Sequence, residues 1–569
     1  MRTLFIDAQG AGSVGRALAE WIPASVRVMS GILEDQNVDF DVVLVEEFLK
    51  GPQRYREYDT FLATGMSSDM EMIKKAGNLI NDWGNIFIIG GPITFDPTSV
   101  FEEIKPDVAI IGEGEKTFLK LLELGLGDGE LPDEETLSNL DGLSFKTKDG
   151  ETRSNFPKRF LSKEELSQFF PSTDVIHYYP FYEDILVVLE ILRGCSNFHK
   201  PKRYHGKACI EGCEKCESDD LSERLICPQG IPSGCGFCSV SGLYGPPRSR
   251  EQEVIVKEIK GLIDRGATKI TILDPDPLDY KREELVAPMP LTNPSFPEPN
   301  YEEIEKLGGM IWSIPEVADG YVTITVRDVK ATLVTDRSAE LLKRYFPRSI
   351  FGIGCESGSE SHCIQLGRPF PPREVLKAAR IMNKHGIKPK VNFIAGLPWQ
   401  TWETTAETLR FMDKLEPYVL YFDLTRFESL PKSAFDDMPS DTGPLRDENS
   451  KALVSRANSV EKRLYEGFVG ERWKVVVGIY DHPKARTPGE KALGEGKGSR
   501  KGIKPKRGFR KLLGVVGYPI FQKEQLSLFA TVVKISNPGE GLKSGDVKMV
   551  EITGVSEAGF RVVLEGRIV

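Results

Sequence analysis

The sequence predicts an α/β protein in three parts. These are an N-terminal doubly wound, Rossmann-like domain (residues 1–125), a (βα)6 partial or full TIM-type barrel (185–439), and a small, mostly β C-terminal domain (440–569). Three observations lead there. Short apolar runs alternate with helix-patterned stretches up to residue 125, and the alternation resumes at Ile185. From about residue 440 it gives way to one helix and short β-like segments. At 569 residues the chain has room for several domains, and 40% hydrophobic with 28% charged residues excludes wholesale disorder. A net charge of −10 argues against a general polyanion binder. The best apolar run, Ile185–Leu192, already contains Glu190, so no membrane span is expected. Met1–Gly10 carries Asp7 inside its apolar stretch and does not read as a signal peptide, so the expected address is the cytoplasm.

In the first part, Arg2–Asp7, Phe40–Val45, Thr60–Thr64, Asn85–Ile89 and Val108–Ile111 read as strands. The later ones are uniformly apolar, as in a buried parallel sheet. Helices are expected at Val14–Trp21, Asp69–Trp83 and Phe95–Ile104. Residues 126–184 are acidic and proline-punctuated and read as a linker with one hairpin. In the barrel, strands are expected at Leu186–Leu192, Lys269–Leu273, Gly320–Val326, Ile350–Gly354, Lys388–Ile394 and Tyr418–Leu424. The intervening helices are Glu253–Arg265, Ser338–Tyr345, Pro372–His385 and Glu403–Leu415, which places chemistry at the strand C-termini. The last part has a helix near Asn449–Gly467, then β-like segments at Phe529–Ile535, Val547–Thr553 and Phe560–Leu564, suiting a small β-barrel.

Cysteine usage carries the chemistry. Seven of nine cysteines fall between Cys195 and Cys238, and dense thiols in a long, otherwise cysteine-poor chain point to metal rather than disulfides. Cys227, Cys235 and Cys238 are spaced C-x7-C-x2-C, and three thiolates leave one iron of a [4Fe–4S] cluster open to a substrate or cofactor. The remaining four of the Cys-rich insertion at 195–227, Cys195, Cys209, Cys213 and Cys216, could hold one tetrahedral Fe or Zn ion. The other division, with Cys195 in the cluster and Cys227 at the single metal, stays open at this point. Cys355 and Cys363 read as ordinary buried thiols.

The cysteine loop, with Phe237 before its last cysteine, resembles the cluster loop of radical S-adenosylmethionine (SAM) enzymes, in a variant of archaeal members. Asp274 at the end of the second strand, Glu356 and Ser357 in Gly-Cys-Glu-Ser-Gly, and the turn Gly396, Leu397 and Pro398 resemble motifs of that superfamily. The resemblance implies that these residues, with Phe237, bind SAM. Residues 60–118 resemble the cobalamin-binding domain that precedes the barrel in one class of these enzymes. There the resemblance rests on the strand-end turns Gly65, Ser67, Ser68; Gly90, Gly91, Pro92; and Gly112, Glu113, Gly114, Glu115. The first histidine is His177, so cobalamin is expected to bind without an imidazole from this domain below the cobalt.

The implied activity is cobalamin-dependent radical SAM methylation of an unactivated carbon. The archaeal-type loop and the extra thiols resemble methyltransferases that modify methyl-coenzyme M reductase, its glutamine C-methyltransferase in particular, which implies a protein substrate and a monomeric enzyme. Two alternatives remain: a methylthiotransferase-like tRNA modifier, and a scaffold whose metal sites are structural. For the first, Lys497–Lys511 offers eight cations and no acid. Against it, the N-terminal domain has no cysteine to hold an auxiliary cluster.

Overall fold

The computed structural model describes residues 2–13, 15–441, 447–479, 515–520, 531–536, 538, 541–558 and 561–569. The N-terminal sheet runs in the order Asp39–Leu44, Arg2–Asp7, Thr60–Thr64, Ile86–Gly90, Val108–Ile110, Leu143–Lys146, Thr152–Asn155. Its first five strands are parallel, as their uniform burial requires. Alternate residues serve opposite faces. Phe5, Leu62 and Ile88 join a core shared with helix Ala24–Asp35 and the barrel. Leu4, Phe61 and Phe87 pack under helix Met70–Trp83 and Phe101.

Two expectations need correction here. Residues 126–184 are no free linker. The hairpin Leu143–Lys146/Thr152–Asn155 completes the N-terminal sheet, with Leu143 opposite Ile110. Nor, among the described residues, is there a helix where one is expected over Val14–Trp21. Gly10, Gly12 and Gly15 all take positive φ, and Trp21–Ile22 forms a short strand. The helix begins only after Pro23, at Ala24. Arg27 and Ser30 are fully buried in it, and these polar positions on its inner face hide its periodicity from the sequence.

The barrel strands follow the expected order: Leu186–Leu189, Lys269–Ile272, Thr323–Val326 resuming as Asp328–Val329, Gly352–Glu356, Lys390–Ala395 and Phe422–Arg426. All their pairings are parallel. Among the described residues Phe422–Arg426 pairs only with Lys390–Ala395, so the barrel is partial. Its other edge is extended by the N-terminal domain, where Trp21 and Ile22 lie parallel to Leu186 and Val187. A buried ion pair stitches the same seam. Arg27 donates to Glu258 at 2.6 Å and to the Val188 carbonyl at 2.9 Å, and Glu258 also accepts from Arg250 at 2.7 Å.

Helix Glu448–Glu466 packs on the last barrel strand. Beyond it, Arg472–Ile479, Val515–Pro519, Val533–Ile535, Arg561–Ile568 and Val547–Ala558 close, in that order, into a small barrel. Lys497–Lys511 lies outside the described residues. Among the described residues no helix is long and apolar enough to cross a membrane.

Candidate functional site

A cavity of about 780 Å³ sits where the C-terminal ends of both parallel sheets meet. The N-terminal domain contributes Ser67, Ser68, Gly90, Gly91, Pro92, Gly112, Glu113, Gly114 and Glu115, and the barrel contributes Glu190, Asp274 and Cys238. Of the turn residues singled out in the sequence, Gly65 alone stands outside the lining. Its role is to let the turns pack: a Cβ on it would sit 2.5 Å from Ile73, and its carbonyl accepts from the Ile93 N–H. Gly91 has φ +90°, and a Cβ there would meet Thr64 Oγ1 at 2.8 Å. At Gly90 a Cβ would meet nothing, so the missing side chain leaves the cavity clear.

Glu113 and Glu115 are not free carboxylates. Arg193 reaches Glu113, Glu115 and Glu190 at 3.2, 2.8 and 2.8 Å, and Arg248 reaches Glu113 at 3.0 Å. They fasten the glycine turn to the loop after the first barrel strand. Asp274 accepts from the N–H groups of Ile191 and Leu192 through one oxygen, while its other oxygen is buried without a partner. Burial, then the nearby Glu190, pushes this carboxyl well above the usual range, against the two backbone N–H groups it accepts from.

The thiols divide differently from the first expectation. Cys195, not Cys227, lies within electrostatic reach of Cys235 and Cys238. Burial and the neighbouring Cys235 push the Cys238 thiol up to about 12. Burial also raises Cys195, against the opposing pull of Lys330. Lys330 is itself held by Asp276 and Asp279. Cys227 belongs instead with Cys213 and Cys216 around the buried Lys200, and with Cys209 beside Cys216. The physical reason is the path of the chain: Cys195 follows the short strand Leu192–Arg193 just beyond the first barrel strand, and the insertion intervenes before the loop returns at Cys235. Among the described residues no three cysteine sulfurs lie within 4.8 Å of one another. Four sulfurs around one zinc at about 2.3 Å would stand roughly 3.8 Å apart. The expected extra Fe or Zn ion therefore has no support in this spacing.

The remaining motif residues, Phe237, Glu356, Ser357, Gly396, Leu397 and Pro398, are not among those that line the cavity. Glu356 takes φ +67°, at a register shift in its strand, and burial raises its carboxyl to about 7 despite Arg368. Ser357 is occupied internally. Its hydroxyl meets His362 Nδ1 at 3.1 Å, while His362 Nε2 donates to the Pro398 carbonyl at 2.9 Å. Gly396 has φ +76° and packs against Asp441, and Leu397 shares a small core with Phe237, Leu366 and Phe435. Cys355 and Cys363 are buried and donate to the Ser357 carbonyl.

Residues 225–412 match the radical SAM superfamily. The chain is also 33% identical to the uncharacterized protein MJ1620 of Methanocaldococcus jannaschii, over 84% of this chain and 88% of that protein. The chain belongs to the radical SAM superfamily. Two solved radical SAM structures share its fold. The methyltransferase TsrM of Kitasatospora setae matches with a TM-score of 0.55 at 13% identity, covering 76% of this chain and 74% of that one. The cobalamin-dependent enzyme OxsB matches with a TM-score of 0.51 at 15% identity, covering 77% and 54%.

Membership in the radical SAM superfamily implies a [4Fe–4S] cluster and SAM. The donor set fits a cluster: Asn197 touches the sulfurs of both Cys195 and Cys235, Cys238 lies within electrostatic reach of the two, and Cys238 faces the cavity. Sequence reasoning missed the residues behind this radical SAM site. Asn197, Lys330 and Arg368 lie outside any short motif, and only the fold brings them to the thiols. Arg193 was visible beside Cys195 but gave no sign of its three carboxylate partners.

Proposed function

We propose that this radical SAM enzyme is a cobalamin-dependent methyltransferase acting on an unactivated carbon of a protein substrate. The observation that carries the reading is the shared cavity. Glycine turns of a doubly wound domain and a thiol of the cysteine trio line one space. The structural likeness to TsrM, also solved with cobalamin and a [4Fe–4S] cluster bound, supports it.

When bound, the cluster with SAM supplies a carbon-centred oxidant, and cobalamin carries the methyl group to be transferred. The chain's own residues do the rest. In this reading Cys195, Cys235 and Cys238 hold the cluster, replacing the first assignment to Cys227, Cys235 and Cys238. Gly90 and Gly91 let a broad planar cofactor lie against the strand ends. Phe5, Leu62 and Leu243 in the lining exclude water, so an oxidising carbon centre meets only its target. In this reading Glu356 would offer SAM an ionisable carboxyl. The acidic chain suits a protein partner, and a glutamine of methyl-coenzyme M reductase is the first substrate to assay.

The test is anaerobic reconstitution of the full chain with iron, sulfide, SAM and cobalamin. About one cobalamin per chain should bind, and 5′-deoxyadenosine should form. Cys195→Ala, Cys235→Ala and Cys238→Ala should each abolish SAM cleavage and lower bound iron by about one cluster. Cys227→Ala should retain both. An exchange of the Cys195 and Cys227 outcomes would restore the first assignment, and no cobalamin uptake would remove the methyl-transfer reading.

A further inference from the structure

Around the thiol trio one sulfur is treated differently from the others. Cys235 Sγ accepts a hydrogen bond from the Arg368 guanidinium at 3.3 Å and another from the Asn197 side-chain amide at 3.2 Å. Both donors are fixed in place. Asn197 is 3% exposed, and its Oδ1 accepts from the backbone N–H of His199 at 3.1 Å. A backbone N–H can only donate, so the amide oxygen must face His199 and the NH2 must face the sulfur. The same residue's backbone N–H points at Cys195 Sγ, 3.4 Å away. Arg368 donates its other terminal nitrogen to the Gly354 carbonyl and lies over the Phe370 ring, 4.9 Å from its centre. Its nearest carboxylate, Glu356, is 3.9 Å away, too far for a tight pair. Burial opposes the guanidinium charge, but Cys235 and Glu356 hold it protonated. A full positive charge is thus kept in a low-dielectric pocket and aimed at sulfur rather than at a carboxylate.

We propose that Arg368 and Asn197 are positioning residues that raise the reduction potential of the cluster held by Cys195, Cys235 and Cys238. This rests on the reading of Cys235 as a cluster ligand. The physical basis is charge. A low-potential one-electron donor adds one electron to the cluster, and the added negative charge spreads onto the ligand sulfurs. N–H groups and a cation directed at one of those sulfurs favour the reduced state, and iron–sulfur potentials respond to hydrogen bonds and net charge. Guanidinium keeps its proton at any working pH, so the effect is constant rather than titrating. Asn197 touches two of the three sulfurs, which makes it a clamp on their spacing as well as a donor.

The experiment is a redox titration of the reconstituted full-length protein without SAM, with Ti(III) citrate as the one-electron reductant. The reduced cluster is read by electron paramagnetic resonance. Arg368→Gln should lower the reduced-to-oxidised ratio at fixed poise by about tenfold, which corresponds to 59 mV for a one-electron couple. Arg368→Lys keeps the charge with poorer geometry and should fall between it and wild type. Asn197→Ala should shift the same way by less. If Arg368→Gln fails to hold iron, Arg368→Lys and Asn197→Ala carry the test. Full iron loading with an unchanged or raised midpoint in these variants would overturn the proposal while leaving the cluster assignment standing. A cluster retained by Cys235→Ala would instead overturn the assignment itself.

Discussion

Glu356 offers a prediction whose sign and size both come from the structure. Its carboxyl is buried at the bulged end of a barrel strand, and burial outweighs Arg368 to raise it from the ordinary 4.5 to about 7. The folded chain therefore holds this proton more tightly than the unfolded chain does. The stability this contributes is fully present below about pH 4.5 and is lost as pH rises through about 7. At 1.36 kcal/mol per pH unit the loss approaches about 3 kcal/mol. Glu356→Gln removes the titration and keeps the shape. The assay is anaerobic urea unfolding of the two metal-free proteins from pH 4.5 to 8.5, taking the difference in unfolding free energy at each pH. Every other titrating group cancels in that difference. Wild type should lose ground to the variant by about 2–3 kcal/mol, most of it between pH 5 and 7.5. In the reconstituted enzyme the same ionisation creates a hydrogen-bond acceptor, so SAM affinity should rise through pH 7 in wild type and stay flat in the variant. Parallel unfolding curves across the range would refute the reasoning, because they would mean that the carboxyl is solvated.

The two neighbouring glycines should separate steric from cavity effects. Gly91→Ala should cost about 2–4 kcal/mol through its positive φ and its overlap with Thr64 and Gly65, whereas Gly90→Leu should leave the melting temperature nearly unchanged and sharply reduce cobalamin uptake. Asp274→Asn preserves acceptance from Ile191 and Leu192 and should be nearly neutral in a urea melt, while Asp274→Ala should cost about 1–3 kcal/mol by orphaning two buried N–H groups. Arg27→Met leaves Glu258 paired with Arg250 but takes the side-chain donor from the Val188 and Ser172 carbonyls, and should lower unfolding free energy by about 1–3 kcal/mol. RNA binding should be weak and insensitive to neutralising four cations of Lys497–Lys511; tight, sequence-selective binding lost on that change would favour an RNA substrate.

What the sequence showed depends on how local the signal was. Thr60–Thr64 and Arg2–Asp7 were legible to the residue, because uniformly apolar runs bounded by turn residues admit few other readings. The glycine turns were legible too, since a strand end that must approach a ligand needs positive φ or a bare backbone, and Gly91 and Gly90 supply one each. The helix Ala24–Asp35 was not, because the seam buries Arg27 and Ser30 where a periodic pattern needs apolar residues. The grouping of seven thiols was not legible for a different reason. Spacing along the chain favoured Cys227, but Cys195 comes to Cys235 and Cys238 through strand ends that sequence distance does not measure. Arg368, 133 residues from the sulfur it touches, is the same lesson at longer range.

The seam explains why the cavity lies where it does. In a parallel sheet every strand delivers its C-terminal turn to the same edge, so each domain has one edge able to host a ligand. Two such domains share a ligand only if those edges face each other, and a flexible tether would not hold them so. Here the contact is made of secondary structure. Trp21 and Ile22 extend the barrel sheet at Leu186, and Arg27 spends its donors on the Val188 and Ser172 carbonyls and on Glu258. Trp21 also lines the cavity, so the strand that fixes the domains forms part of the wall they share. Next to this seam, Arg193 follows the first barrel strand and binds the Glu113 and Glu115 turn of the N-terminal sheet. The two attachments lie side by side, since Glu115 and Arg193 line one small cleft together with Glu258 and Arg250. Loosening either one should therefore widen the distance between the cysteine trio and the glycine turns before it unfolds either domain.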